Sequence, residues 1–340
     1  MFLWTSIPLF RLGVYMKGKK ISTILALILG LTALSGCTNS DQKVNFGNFW
    51  QEDALSQNDI HETLVYDVTF DANDASLVDY TLAYKDGKYT TSLVSAKEDD
   101  KTVYTYTTAL TITAQYTLNG VTEECQDVVT STVKFYAAEY GLQPISSEKE
   151  IKASSPTAIT GTQVSECYQQ YHYATKITYN ENCTEGKSVV THYLTEGDPK
   201  VKENTFEIEQ KKFSYLDNEQ VLLALRGVRN STSSAKLNVY SAFAESVQKV
   251  SWTFDKEVGA EFSFYKDSGE EKTKSTITYR PVNLVLDEKN PGATQIAWIA
   301  KKPESSSTAN TNRNVILRLE TPLSYGLGSL IYTLNSVSYK

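Results

Sequence analysis

Residues Val103 to Tyr136 read VYTYTTALTITAQYTLNGVTEECQDVVTSTVKFY, and the alternation within them decides the fold. Tyr104, Tyr106, Leu110, Ile112, Ala114, Tyr116 and Leu118 share one parity, while Thr105, Thr107, Thr111, Thr113, Gln115 and Thr117 share the other. A period of two puts these sets on opposite faces of a β-strand, one toward a core and one toward water. Asn119-Gly120 follows, a dipeptide that readily takes positive φ at both central positions of a type I′ turn. Such a turn pairs Leu118 with Val121, Ala114 with Cys125, Leu110 with Val129 and Tyr104 with Phe135, so the apolar parities coincide across the ladder. Glu123 and Asp127 interrupt the apolar face of the return strand and are expected beyond the covered part of the sheet.

The same period extends outward from this hairpin. Leu64, Tyr66, Val68 and Phe70 form a half-buried strand; Tyr80, Leu82 and Tyr84 alternate up to Asp86-Gly87, a second hairpin signal, and Tyr89, Thr91 and Leu93 return on the matching face. Tyr168 to Tyr179 and Ser188 to Tyr193 read as a hairpin around a loop from Asn180 to Gly186, and a further strand covers Thr205 to Phe213. Strands then recur between Leu237 and Ser338. One segment breaks the pattern: Asp217 is an N-cap acid, Gln220 completes a capping box, and Val221-Leu222-Leu223-Ala224-Leu225-Arg226-Gly227 predicts a short buried helix near 218–226. Around a dozen strands and one helix imply a mainly β fold, an antiparallel curved sheet or partial barrel wrapping the helix, with two β-sandwiches as the alternative. Residues 137–162, with Pro144, Pro156 and the run SSEKEIKASSP, are the candidate boundary between a β region at 61–150 and a second at 151–340, which one sheet can also span. Pro303 to Arg313 has the composition of a mobile loop.

Of 340 residues, 41% are hydrophobic and 21% charged, which are globular values. The mean hydropathy of −0.34 excludes a polytopic helical membrane protein. Arg11, Lys17, Lys19 and Lys20 all precede position 37 and every acid follows it, so removing residues 1–36 takes the net charge from −7 to −11. An acidic surface without a basic cluster repels phosphate backbones, so nucleic acid is excluded as a partner.

Lys17, Lys19 and Lys20 precede an apolar run from Ile21 to Leu34 that is too short for a bilayer span and suits a signal peptide. Met16 begins a conventional n-region and is the expected true start. Leu34-Ser35-Gly36-Cys37 resembles the lipobox of bacterial type II signal peptides, and the chain as a whole resembles envelope lipoproteins of Gram-positive bacteria. The resemblance implies cleavage before Cys37, transfer of a diacylglycerol carrying fatty acids such as palmitate to its thiol, and residence on the outer side of a membrane. Residues 37–60 are then expected to form a polar tether.

Chemistry-bearing motifs are sparse. On the proposed hairpin His172 and His192 face each other only diagonally, and His61 stands apart, so a metal is not expected. Of the remaining cysteines, Cys125 bridged to Cys167 or to Cys183 is one reading, and three buried thiols is the other. No nucleophile motif or cofactor loop stands in a convincing context, so neither a catalytic residue nor a cofactor is assigned. Twenty-two tyrosines, with Trp50, Trp252 and Trp298, can line a sugar or apolar ligand site, although ordinary sheet packing accounts for most of them. The first expectation is a membrane-tethered, extracytoplasmic binding or envelope-associated protein of unidentified ligand, without catalysis. The alternatives are a surface hydrolase of glycans or envelope polymers, marked by a cleft with two acids of raised pKa, and a structural envelope component.

Overall fold

The computed structural model describes residues 44, 46, 60–73, 78–158, 162–209, 214–228, 232–267, 269–285, 294–301 and 314–339. Eight strands follow one another as an antiparallel meander: β1 (His61–Ala72), β2 (Thr81–Glu98), β3 (Lys101–Leu118), β4 (Val121–Tyr136), β5 (Pro144–Pro156), β6 (Tyr168–Tyr179), β7 (Glu185–His192) and β8 (Lys200–Glu207). After β9 (Ser214–Leu216) and the helix α1 (Val221–Leu225) come β10 (Ser234–Ser241), β11 (Ser246–Phe254), β12 (Val258–Lys266), β13 (Thr273–Val285), β14 (Gln295–Ala300), β15 (Ile316–Pro322) and β16 (Gly328–Tyr339). β16 pairs with β1, joining both halves into one sixteen-stranded sheet that runs from β8 back to β1, then through β16, β15, β14, β13, β11 and β10 to β9. The fold is a β-barrel-like curled sheet around one short helix, and not a pair of sandwiches.

The β3–β4 ladder has the register that Asn119-Gly120 requires, with Leu118 opposite Val121, Leu110 opposite Val129 and Tyr104 opposite Phe135. Both turn residues take positive φ, 53° and 79°. Asp86-Gly87 is not a hairpin. It is a bulge inside β2, where two residues oppose Ile112 alone, and the true turn is Asp99-Asp100 at φ 47° and 64°. Gly87 is required by close approach: a Cβ there would stand 2.4 Å from the carbonyl oxygen of Val68. The candidate boundary is also corrected, since its charged run forms β5, hydrogen-bonded to β4 and β6. The β6–β7 hairpin is shifted by two residues from the expected register, with Tyr173 opposite His192. Asn180 sets that shift by closing the loop on the backbone N–H groups of Thr184 and Glu185.

β12 pairs on both sides, antiparallel with β13 and in parallel with β16, so β13, β14, β15, β16 and β12 close into a ring. Phe262, Tyr279 and Trp298 pack together there, with the Arg318 guanidinium 4.9 Å above the Trp298 ring. Leu330, Ile331 and Tyr332 of β16 are buried in succession, which erases the period of two. At the other end β8 meets β10 through side chains: Phe206 stacks on Tyr240, whose hydroxyl bonds to Asn204 and Ser188. Among the described residues no ladder joins β8 to β9.

All five residues of α1 are buried. Leu222 faces Leu64, Tyr66, Tyr89, Tyr106 and Tyr332 around a gap of only 20 Å³, room for about one water molecule. Just after the helix, Arg226 makes a bidentate pair with Glu62 of β1, at 2.6 and 2.8 Å, and donates to the Asn314 carbonyl. Within the expected tether, Phe46 is buried and forms an antiparallel bridge with Val228, so the chain touches the body at that point.

Two measurements check this packing. Gly87→Ala is expected to cost roughly 1–3 kcal/mol in urea unfolding, because the new methyl must displace backbone; an unchanged midpoint would contradict the close approach. Glu62→Ala is expected to cost roughly 3–5 kcal/mol by leaving a buried charge, whereas Glu62→Leu with Arg226→Met recovers most of it. Equal losses in both variants would show that desolvated charge is not the cause.

Candidate functional site

The largest recess among the leading cavities lies outside the barrel, across β4, β5, β6 and β7, and has a volume of 460 Å³. Its floor is built from rungs of the sheet. One rung aligns Thr132, Glu148, Lys176 and Val189; the next aligns Thr130, Glu150, Ala174 and Thr191. Beyond one end of this floor, a third rung begins with Val128, Lys152 and His172 and ends at Tyr193, whose N–H donates to the His172 carbonyl. Ala174 and its short neighbours keep the middle low, while Glu148, Glu150 and Lys176 rise around it. Glu148 forms a salt bridge with Lys176 at 2.6 Å, and Glu150 a hydrogen bond with the His172 ring at 2.8 Å. Tyr193 stacks on the His172 ring at 4.2 Å, 26° from parallel, and is 37% exposed.

The third rung opens into a cavity of 250 Å³ lined by Lys152, His172, Tyr193, Gln170, Cys125 and Asp127. Asp127 is 2% exposed, contrary to the expectation that it lies beyond the covered sheet. The β4–β5 ladder ends at Val128–Lys152, and the Asp127 carboxylate takes over, accepting from the Ser154 N–H at 2.7 Å and its hydroxyl at 3.0 Å. Tyr116 donates to the same hydroxyl, and among the described residues the second carboxylate oxygen, Oδ2, has no hydrogen-bond partner. Burial pushes the Asp127 carboxyl up to about 7, against the opposing pull of the two Ser154 hydrogen bonds.

Two further acids flank the helix start. Asp217 accepts from Ser147 and Tyr179, each at 2.6 Å, and from the Glu219 N–H, while Glu219 pairs with Lys149 at 2.9 Å. Burial and the charge of Glu219 raise the Asp217 pKa; for Glu219 burial is outweighed by the charge and hydrogen bond of Lys149 and a hydrogen bond from Asn218, which lower its carboxyl pKa. These acids hold the helix to β5 and β6, around a gap of 50 Å³. They cap and dock α1 rather than face a cleft.

Cys125, Cys167 and Cys183 are buried thiols, so the bridge from Cys125 to Cys167 or Cys183 is not formed. The Cys125 sulfur lies 3.5 Å from the Gln170 amide, that of Cys167 is directed at the Gln163 carbonyl, and Cys183 belongs to a separate apolar cluster with Phe206 and Tyr240. His172 and His192 occupy opposite faces: His172 lines the 250 Å³ cavity beside the groove, and His192 stacks on Tyr173 at 4.2 Å. Leu34, Ser35, Gly36 and Cys37, Met16 and the loop at 303–313 lie outside the described residues. Apart from His172, the residues of this site carry one sequence signal, the polar parity of β4–β7, shared by any solvated strand face.

The sequence matches no protein-family model and no curated protein. A solved structure is similar, the crystal structure of a β-barrel-like protein of domain of unknown function DUF1849 from Brucella abortus. It is 14% identical, the match covers 83% of this chain and 98% of that one, and the TM-score is 0.44.

The Asp127 carboxyl has a pH signature. Because its folded pKa, about 7, lies above the unfolded value, the native state binds the proton more tightly. Its stabilising share is complete at about pH 4 and is lost as pH rises through about 7. Asp127→Asn is expected to remove this fall and to be more stable than wild type at about pH 8 by roughly 2–4 kcal/mol. Parallel stability curves for the two proteins in urea would show that Asp127 ionises normally.

Proposed function

We propose that the chain is an exported lipoprotein, held on the outer side of a membrane through acylated Cys37, whose barrel-like body binds an envelope component without catalysis. The observation that carries the address is the order of its amino terminus: three lysines, an apolar run, and then Leu34-Ser35-Gly36-Cys37. Two acyl chains on one cysteine hold a protein far more firmly than one, since each buried methylene contributes about 0.8 kcal/mol. Binding on the outside is favoured because α1 fills the space where a carrier would enclose an apolar ligand, while the 460 Å³ recess is open and lined by threonines and charged side chains.

The hydrolase reading draws on one observation, the Asp127 carboxyl near neutrality. Its disadvantage is spacing. Glu123, four residues away on the same face of β4, stands about 13 Å along the strand, beyond the roughly 5–9.5 Å between paired glycosidase carboxylates. Asp217 and Glu219 are engaged at the helix start.

Wild-type protein in an export-competent host is expected to sediment with membranes and take up labelled palmitate. Cys37→Ala is expected to lose the label and leave the membrane fraction. A labelled Cys37→Ala variant, or wild type that is soluble and unlabelled, would overturn the anchor.

A further inference from the structure

Resting on the binding reading, we propose that the β4–β7 groove is the binding site and that it takes a neutral glycan chain, one sugar ring lying on Tyr193 and its neighbours running across the Thr130 and Thr132 rungs. Three properties of the groove select that chemistry.

The first is charge. The three rungs carry two carboxylates, Glu148 and Glu150, and two lysines, Lys152 and Lys176, and the salt bridge of Glu148 with Lys176 lies within the groove, with the contact of Glu150 with His172 at its end. A polyanion finds no basic surplus here and a polycation no acidic one. Paired carboxylates keep free lone pairs, however, and with the threonine hydroxyls they offer donors and acceptors suited to a ligand rich in hydroxyl groups.

The second is the ring at the end of the groove. Tyr193 is one of the few large hydrophobic residues left exposed among the described residues, and its stacking on His172 holds the ring in one orientation. A fixed aromatic face with a polar edge supplies contact area to the C–H face of a sugar at little entropic cost. The His172 ring is in turn held by Glu150, so the platform is built in advance.

The third is extent. Three rungs span about 14 Å along the strands and four strands about 14 Å across, at the ordinary rise and spacing of a sheet. That exceeds one sugar ring and suits a short run of linked rings.

The test uses the full-length protein purified from membranes, titrated calorimetrically with chitotetraose and cellotetraose as neutral probes and with hyaluronate oligosaccharides as the anionic one. At least one neutral probe is expected to bind, and Tyr193→Ala and Thr191→Trp, the latter filling the groove centre, are each expected to weaken it at least tenfold. Hyaluronate is expected to bind at least tenfold more weakly. Unchanged circular dichroism and thermal midpoints exclude misfolding as the cause. A wild type that binds neither neutral probe, or binds hyaluronate more tightly, overturns the glycan class. Neutral binding that survives both substitutions overturns the groove. Retention on protease-treated cell-wall polymer is measured in parallel: retention lost in Thr191→Trp without neutral-probe binding refutes the glycan and leaves the binding reading standing. Absence of both refutes the two together.

Discussion

A helix start sealed inside a sheet has free backbone N–H groups and no water to satisfy them, and this constraint organises the molecule. Asp217 meets it by accepting from the Glu219 N–H, and Gln220 completes the box on the Asp217 N–H while donating to the Leu142 carbonyl. A buried carboxyl and a buried amide then need partners of their own. Ser147 of β5 and Tyr179 of β6 donate to the Asp217 carboxyl, Lys149 of β5 pairs with the neighbouring Glu219, and Glu62 of β1 answers Arg226 at the far end. One five-residue helix is thereby fastened to three strands of the sheet. A buried pair such as Arg226 with Glu62 contributes less to net stability than to fixing one arrangement, because its desolvation offsets most of its attraction.

This fastening explains which elements were legible in the sequence. The β3–β4 hairpin was, since its turn and its period agree locally and need nothing from the rest of the chain. So was the helix, whose capping box is contained within four residues. β5 was read as a boundary because Ser147 and Lys149 occupy inward positions, and their partners lie 70 residues downstream. The Asp86-Gly87 bulge carries the same dipeptide as a hairpin turn; only the carbonyl of Val68 pressing on Gly87 decides between them. In β16 the alternation fails at Leu330, Ile331 and Tyr332, all buried, in a strand that also belongs to the ring β12 closes, a pairing set by distant residues.

The site was less legible still. Thr130, Glu150, Ala174 and Thr191 come from four strands, and each is an unremarkable outward position until register aligns them. Asp127 announced itself as a defect in an apolar face. Its role, replacing ladder bonds where β4 and β5 part, depends on the backbone of Ser154. Cys125, Cys167 and Cys183 illustrate the opposite limit: their number permits a bridge, and only their separate surroundings decide against one.

The location of the groove follows from the same packing. α1 fills the inner face, and β12, pairing with both β13 and β16, closes the second half of the sheet into a ring. The outer face of β4–β7 remains as a broad surface with a depressed centre. Its balance of charge is local: the chain as a whole carries −7, yet the three rungs hold as many lysines as carboxylates. The long-range field therefore disfavours anionic polymers, and the groove does nothing to reverse it. What it presents at close range is hydrogen-bonding capacity beside a fixed aromatic face, and that pairing discriminates by hydroxyl pattern rather than by charge.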